Sequence, residues 1–148
     1  MRFLIKTAVK GEPRKVFAGF DHNLLLKLSP PGMRIDLIHA DPAEKPDGYI
    51  HLKVTMLGII RQEWKNRFSN YEINDDRCHF VDQGDMMPFP IKLWRHDHRV
   101  ERLEGTTHII DDVQYGTNFF LLDWLLFPVL WFQFRYRRPI YRRHFGQP

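Results

Sequence analysis

One cysteine, Cys78, occurs among 148 residues, so no intrachain disulfide forms and the thiols are too few for a zinc ribbon or finger. No acidic residue follows Asp123, and no internal repeat, low-complexity stretch or linker interrupts the chain. No apolar run reaches the roughly 20 residues that a membrane-spanning helix needs. The strongest candidate, residues 119–134, is broken by Asp123, Pro128 and Gln133. The opening Met1-Arg2-Phe3-Leu4-Ile5-Lys6 is charged again within a few residues and does not read as a signal peptide. A cytoplasmic location is therefore the expectation.

The length fits one domain over residues 1–148. Aromatic residues are 14% of the chain, enough to fill a large core, line a cavity or build an adhesive surface. Net charge is +4, but the excess is local. Five arginines follow Asp123: Arg135, Arg137, Arg138, Arg142 and Arg143. The remainder carries 17 basic against 18 acidic residues. The body is thus no polycation, and nucleic-acid binding is not expected.

Periodicity orders the elements. Residues 2–9 alternate as a strand, with Phe3, Ile5 and Thr7 on one face. Pro13 suits the first position of a short helix through Val16, Phe17 and Phe20. Asp21 suits the N-cap of a second helix, residues 23–28. Strands follow at 34–39, 49–56 and 61–70, separated by a turn over 40–48 and a hairpin at Gly58. Cys78, Phe80 and Asp82 share one face of the next strand, and residues 84–90 read as an apolar loop. Within Trp94-Arg-His-Asp-His-Arg-Val100, Trp94, His96, His98 and Val100 face one way. Arg95, Asp97, Arg99 and Glu101 face the other, which is expected to be wet. A last strand carries Thr107, Ile109, Asp111, Val113 and Tyr115 on one face, and everything after Asn118 reads as helical.

Several pieces together resemble the SRPBCC or START-related helix-grip superfamily, closest to its bacterial ligand-binding members and to polyketide cyclases. They are Pro13-x-x-Val16-Phe17, Trp64, Phe80-x-Asp82-x-Gly84, Pro88-Phe89 ahead of Trp94-x-His96-x-His98, Thr107-x-Ile109-x-Asp111-x-Val113-x-Tyr115, and Phe134-x-Tyr136-Arg137. The resemblance spans essentially the whole chain. It implies an α+β helix-grip fold: a curved antiparallel sheet of about seven strands around a long C-terminal helix. Two short helices would lie between the first two strands, and an internal cavity between sheet and helix. It carries over no catalytic residue, since this scaffold hosts carriers, receptors and enzymes.

One sheet face would present Trp64, Asn66, Phe68, Phe80, Asp82, Trp94, His96, His98, Asp111 and Tyr115. Aromatics with a few polar groups are the usual lining of a small-molecule site. Phe68, Phe80, Trp94 and Tyr115 would form the wall, and Asp82, His96, His98 and Asp111 would orient a polar ligand group. The imidazoles and carboxylates read three ways: a satisfied polar network, an acid–base pair acting on a ligand, or a divalent-metal sphere. His-x-His alone carries the metal reading weakly, so no metal and no cofactor are expected. The favoured function is binding or carriage of a hydrophobic or amphipathic molecule. A cyclase- or hydratase-type enzyme in the same cavity is the alternative. Cys78 reads as a core filler, and His22, His39, His51, His79, His108 and His144 as surface residues. Met86, Met87 and Phe89 either pin their loop or cover the cavity.

The C-terminal segment is apolar on nearly every side: one face can grip the sheet, and the others need cover from the two short helices, a second subunit in a homodimer or a membrane surface. Arg135, Arg137, Arg138, Arg142 and Arg143 read first as a solvated basic helix end, and otherwise as contacts to lipid phosphates or an acidic partner. Pro128 either kinks the helix or starts it.

Overall fold

The computed structural model describes every residue except Ala43, Glu44 and Pro46, together with all side chains outside those three but that of His22. Part of the expected 40–48 turn, and the expected surface position of His22, lie outside the described residues.

Seven strands form one antiparallel sheet: β1 (Arg2–Val9), β2 (Met33–Ala40), β3 (Tyr49–Met56), β4 (Ile60–Ile73), β5 (Arg77–Met86), β6 (Ile91–Leu103) and β7 (Thr106–Thr117). Their spatial order is β1-β7-β6-β5-β4-β3-β2, so each strand from β2 to β7 pairs with its sequence neighbour and β1 returns to close on β7. Two short helices, α1 (Pro13–Ala18) and α2 (His22–Lys27), connect β1 to β2. A long helix, α3 (Phe120–Phe145), ends the chain. This is the helix-grip arrangement the sequence implied.

Local chemistry accounts for the boundaries. Pro13 opens α1, and the Asp21 carboxylate accepts the Leu24 N–H at 2.7 Å to cap α2. Asn74 accepts the Arg77 N–H at 2.7 Å and turns β4 into β5. β5 continues through Met86, so the expected apolar loop is reduced to the few residues before Ile91. Gly84 lies within the strand, where a Cβ would overlap the Met87 side chain. Pro128 does not start α3. It and Pro139 both lie inside one continuous helix, on its exposed side, where a carbonyl that has lost its helical donor is solvated. No helix among the described residues is long and apolar enough to cross a membrane.

Two apolar clusters fill the space between sheet and helices. Val9, Phe17, Leu24, Cys78, Val100, Ile109 and Tyr141 pack beneath α1, α2 and the end of α3. Phe3, Ile91, Trp94, Val113, Tyr115, Leu130 and Phe134 pack beneath the middle of α3. Cys78 is fully buried, donates to the Asn74 carbonyl at 3.3 Å and has its thiol pushed up by burial, which fits the core-filling role.

The opposite face of β6 is not simply wet. Arg95, Asp97, Arg99 and Glu101 are half-buried, and Asp97, Arg99 and Glu101 are ion-paired across neighbouring strands. Asp112 is the centre of this lattice: Arg2 reaches it with two bonds of 2.9 and 2.7 Å, and Arg99 with one of 3.0 Å. The arginine heads there pair with carboxylates.

Replacing Asp112 with Ala is expected to lower stability by about 1–3 kcal/mol, because a charge-assisted acceptor with little exposure is lost. The hydrogen bond from Arg2 holds the Asp112 carboxyl below its ordinary value, against the effect of burial, with Arg99 assisting. Its contribution is therefore complete above the unfolded carboxyl value of about 3.9 and is lost as pH falls through the folded value. Urea midpoints at falling pH should show the gap between wild type and variant closing in acid. A gap that does not change with pH would contradict this role.

Candidate functional site

Register brings the expected polar residues together at the middle of the sheet. Across β5 and β6, Phe80 lies opposite His98 and Asp82 opposite His96. Across β6 and β7, His98 lies opposite Asp111 and His96 opposite Val113. Phe68 of β4 lies opposite Asp82. Two rungs of the ladder thus place two carboxylates and two imidazoles side by side, between the two apolar clusters.

His96 and Asp111 form the buried centre. His96 Nε2 is 2.9 Å from Asp111 Oδ1, and the residues are 2% and 0% exposed. A carboxylate only accepts, so Nε2 carries the proton. Burial, and then the neighbouring His98, lower the His96 pKa to about 4, so the imidazole is neutral at physiological pH. Asp111 faces the same burial. The His96 hydrogen bond and the Arg137 charge, 4.0 Å away, outweigh it and hold the carboxyl below its usual range. Asp82 is held low in the same direction: burial opposes its charge, but His98, His96 and the Trp94 indole outweigh it. Trp94 Nε1 donates to Asp82 Oδ1 at 2.9 Å.

The remaining approaches are looser. Asp82 Oδ2 is 3.5 Å from His98 Nε2 and 3.8 Å from His96 Nδ1, and Asp111 Oδ1 is 3.9 Å from His98 Nδ1. His98 Nδ1 is buried and makes no hydrogen bond among the described residues. The two imidazole centroids are 3.6 Å apart, and the His98 ring stacks on Phe80 at 4.6 Å.

A cavity of about 540 Å³ opens onto this cluster. Phe17, Phe20, Leu25 and Leu28 from the α1–α2 segment form one wall, and Ile50, Phe68, Ile73 and Phe80 from the sheet another. Asp82, His98 and Arg137 supply its polar floor.

Four expected site residues, Phe68, Phe80, Asp82 and His98, line the cavity. The other six are placed elsewhere. His96 and Asp111 lie directly behind the floor, and Trp94 braces Asp82 from the side. Trp64 Nε1 donates to Asn66 Oδ1 at 2.7 Å, and its ring meets Trp94 edge-on at 4.8 Å. The Tyr115 hydroxyl turns away to the Asp123 carbonyl at 2.6 Å, near the start of α3. Burial pushes that phenol up to about 12. Met87 packs with the second apolar cluster, and neither it, Met86 nor Phe89 lines the cavity.

Arg137 is a residue that the sequence reading placed with the outward basic tail. Its side chain is only 12% exposed, lies 4.0 Å over the Phe134 ring and points toward Asp111. The signal was its spacing: Leu130, Phe134, Arg137 and Tyr141 recur at helical intervals on the gripped face of α3. The cavity wall from α1 and α2 was missed as well, since short amphipathic helices show no ligand-facing side in their pattern alone.

No protein-family model and no curated protein matches the chain. Solved structures do. A Chromobacterium violaceum protein is 10% identical, with a TM-score of 0.67 over 100% of this chain and 99% of that one. A Mycobacterium smegmatis protein is 13% identical, with a TM-score of 0.65 over 98% and 88%. Ara h 8.0201 is 12% identical, with a TM-score of 0.55 over 95% and 97%. Likeness at these identities is likeness of fold, and the fold shared with Ara h 8.0201 is of the helix-grip type.

Proposed function

We propose that the protein binds an amphipathic small molecule, its apolar body between the α1–α2 wall and the sheet and its polar end on Asp82, His98 and Arg137. The observation that carries this reading is the composition of the cavity: aromatic and aliphatic walls above a floor where an acceptor, an imidazole and a guanidinium converge. A head group able to donate to Asp82 and accept from Arg137 fits that floor. His96 and Asp111 act by positioning the floor, because they are buried behind it. Binding or carriage is favoured over catalysis because the most deeply held imidazole is committed to Asp111 and does not line the cavity.

A fluorescent naphthalene sulfonate probe, displaced by a series of long-chain alcohols, acids and amides, tests this. Wild type is expected to bind one equivalent, and Ile50→Trp, which fills the cavity, to bind at least about tenfold more weakly, a loss of 1.4 kcal/mol. His98→Ala should weaken head-group discrimination while leaving a folded protein. Equal binding by wild type and Ile50→Trp would rule the cavity out. Should a cyclase- or hydratase-type turnover be found instead, His98→Ala would abolish it with binding kept.

A second reading is favoured by the outer face of α3. Phe120, Leu121, Trp124, Leu125, Val129 and Phe132 are 57–79% exposed on the first half of the helix. The same stripe continues as Arg135, Arg138, Arg142 and Arg143, which border a shallow cleft. Apolar bulk followed by clustered arginines matches an anionic lipid surface, where each cation contributes about 1 kcal/mol. A ligand carrier that loads from or delivers to a membrane would use such a face. Co-sedimentation should show retention on vesicles with anionic lipid, reduced several-fold by high salt and by the change R138Q/R142Q/R143Q. Absence from the lipid pellet at low salt, or dimerisation that covers the stripe in sedimentation velocity, would overturn it.

A further inference from the structure

We propose that Asp82, His96 and His98 are the ligands of a divalent transition-metal ion bound at the floor of the cavity. Each of the three residues offers one donor atom, and these lie within 4.8 Å of one another; Asp82 Oδ2 faces His96 Nδ1 and His98 Nε2. A tetrahedral ion with metal–ligand bonds of about 2.1 Å spaces its donors roughly 3.4 Å apart. The two distances from Asp82 Oδ2, 3.5 and 3.8 Å, are close to that edge. They are also longer than well-formed hydrogen bonds. The two imidazoles therefore converge on the same carboxylate oxygen, with His98 the nearer.

Orientation supports the same point. Nε2 of His96 spends its proton on Asp111, so in the neutral ring Nδ1 presents a lone pair toward Asp82 Oδ2, itself an acceptor. Two acceptors facing each other need a proton, a water or a cation between them. Two of the three ligands have outer partners, whereas the buried Nδ1 of His98 has none among the described residues. Asp111 holds the far nitrogen of His96, a carboxylate–histidine arrangement that fixes ring and tautomer. Trp94 holds Oδ1 of Asp82, and Oδ2 faces the two imidazoles.

Two imidazoles and one carboxylate are borderline donors, suited to zinc, iron(II), cobalt or nickel rather than to calcium or magnesium. Because Asp82 and His98 also line the cavity, the remaining coordination positions face whatever occupies it. A ligand's oxygen or nitrogen could complete the sphere. That last point rests on the cavity reading, whereas the metal site itself does not. His-x-His spacing alone is a weak sign; the strand register adds the third donor and both supports.

The test uses tag-free full-length protein stripped with a chelator and titrated with cobalt(II), read by its visible absorption, and with zinc(II), read by calorimetry. One equivalent is expected per chain. His98→Ala and Asp82→Asn should each weaken uptake by at least tenfold. Asp111→Asn, a positioning change, should weaken it about 10–100-fold and alter the cobalt spectrum. His79→Ala, which removes an imidazole paired with Asp97 and Glu72 on the opposite face, should change nothing. Circular dichroism on each variant keeps misfolding apart from lost ligation, and His98→Ala, at the cavity edge, serves if a deeper change fails to fold. No stoichiometric uptake, or uptake unaffected by His98→Ala, overturns the site. Naphthalene sulfonate binding in the presence of chelator is measured in parallel: probe binding without metal uptake sinks the metal site alone, and metal uptake without probe binding sinks the cavity reading alone.

Discussion

Two carboxylates, Asp82 and Asp111, lie in the interior of a small domain-sized chain, and much of the surrounding structure is arranged to keep them there. An unpaired buried charge costs several kcal/mol, more than most single contacts return. The His96–Asp111 bond, the Trp94–Asp82 bond and the approach of Arg137 are what make the cluster tolerable. Each comes from a different element or rung, so the cluster depends on correct register in β5, β6 and β7 and on correct docking of α3.

That dependence links fold to function. The apolar clusters on either side would pack as well around leucines, and a hydrophobic replacement of a buried ion network is often no less stable. Retaining charge at this depth therefore has a rationale in what the cavity meets. Phe134 illustrates the coupling: its ring edge rests on His96 at 4.8 Å, its face carries Arg137, and its helix position sets both. A shift of α3 would move the floor and the core together. On the other face of the sheet, the Asp112 lattice does a different task, tying β1, β6 and β7 without contact to the cavity.

The fold was legible because its signals are local. Alternation in β1, β3, β6 and β7, Pro13 at the head of α1 and Asp21 at the cap of α2 were each readable within a few residues. Which residues would share a face was readable too, and His96, His98, Asp82 and Asp111 do share one. What sequence did not carry was distance along and across the sheet. Tyr115 and His98 both point inward, yet one ends at the start of α3 and the other in the cavity. Arg137 looks like part of the basic tail by charge, and only its helical phase with Phe134 and Tyr141 sets it on the gripped face. The outer face of β6 was expected to be wet because charged residues on alternate positions look alike whether solvated or locked in a lattice.

The claim on which the functional reading rests is that the polar floor and apolar walls hold a small molecule. Native mass spectrometry of the protein purified from its own host tests it most directly. The expected spectrum shows the chain with a non-covalent amphipathic adduct that is released on denaturation and is missing from Ile50→Trp prepared the same way. Bare chain in both preparations, with identical masses before and after denaturation of each, would contradict it.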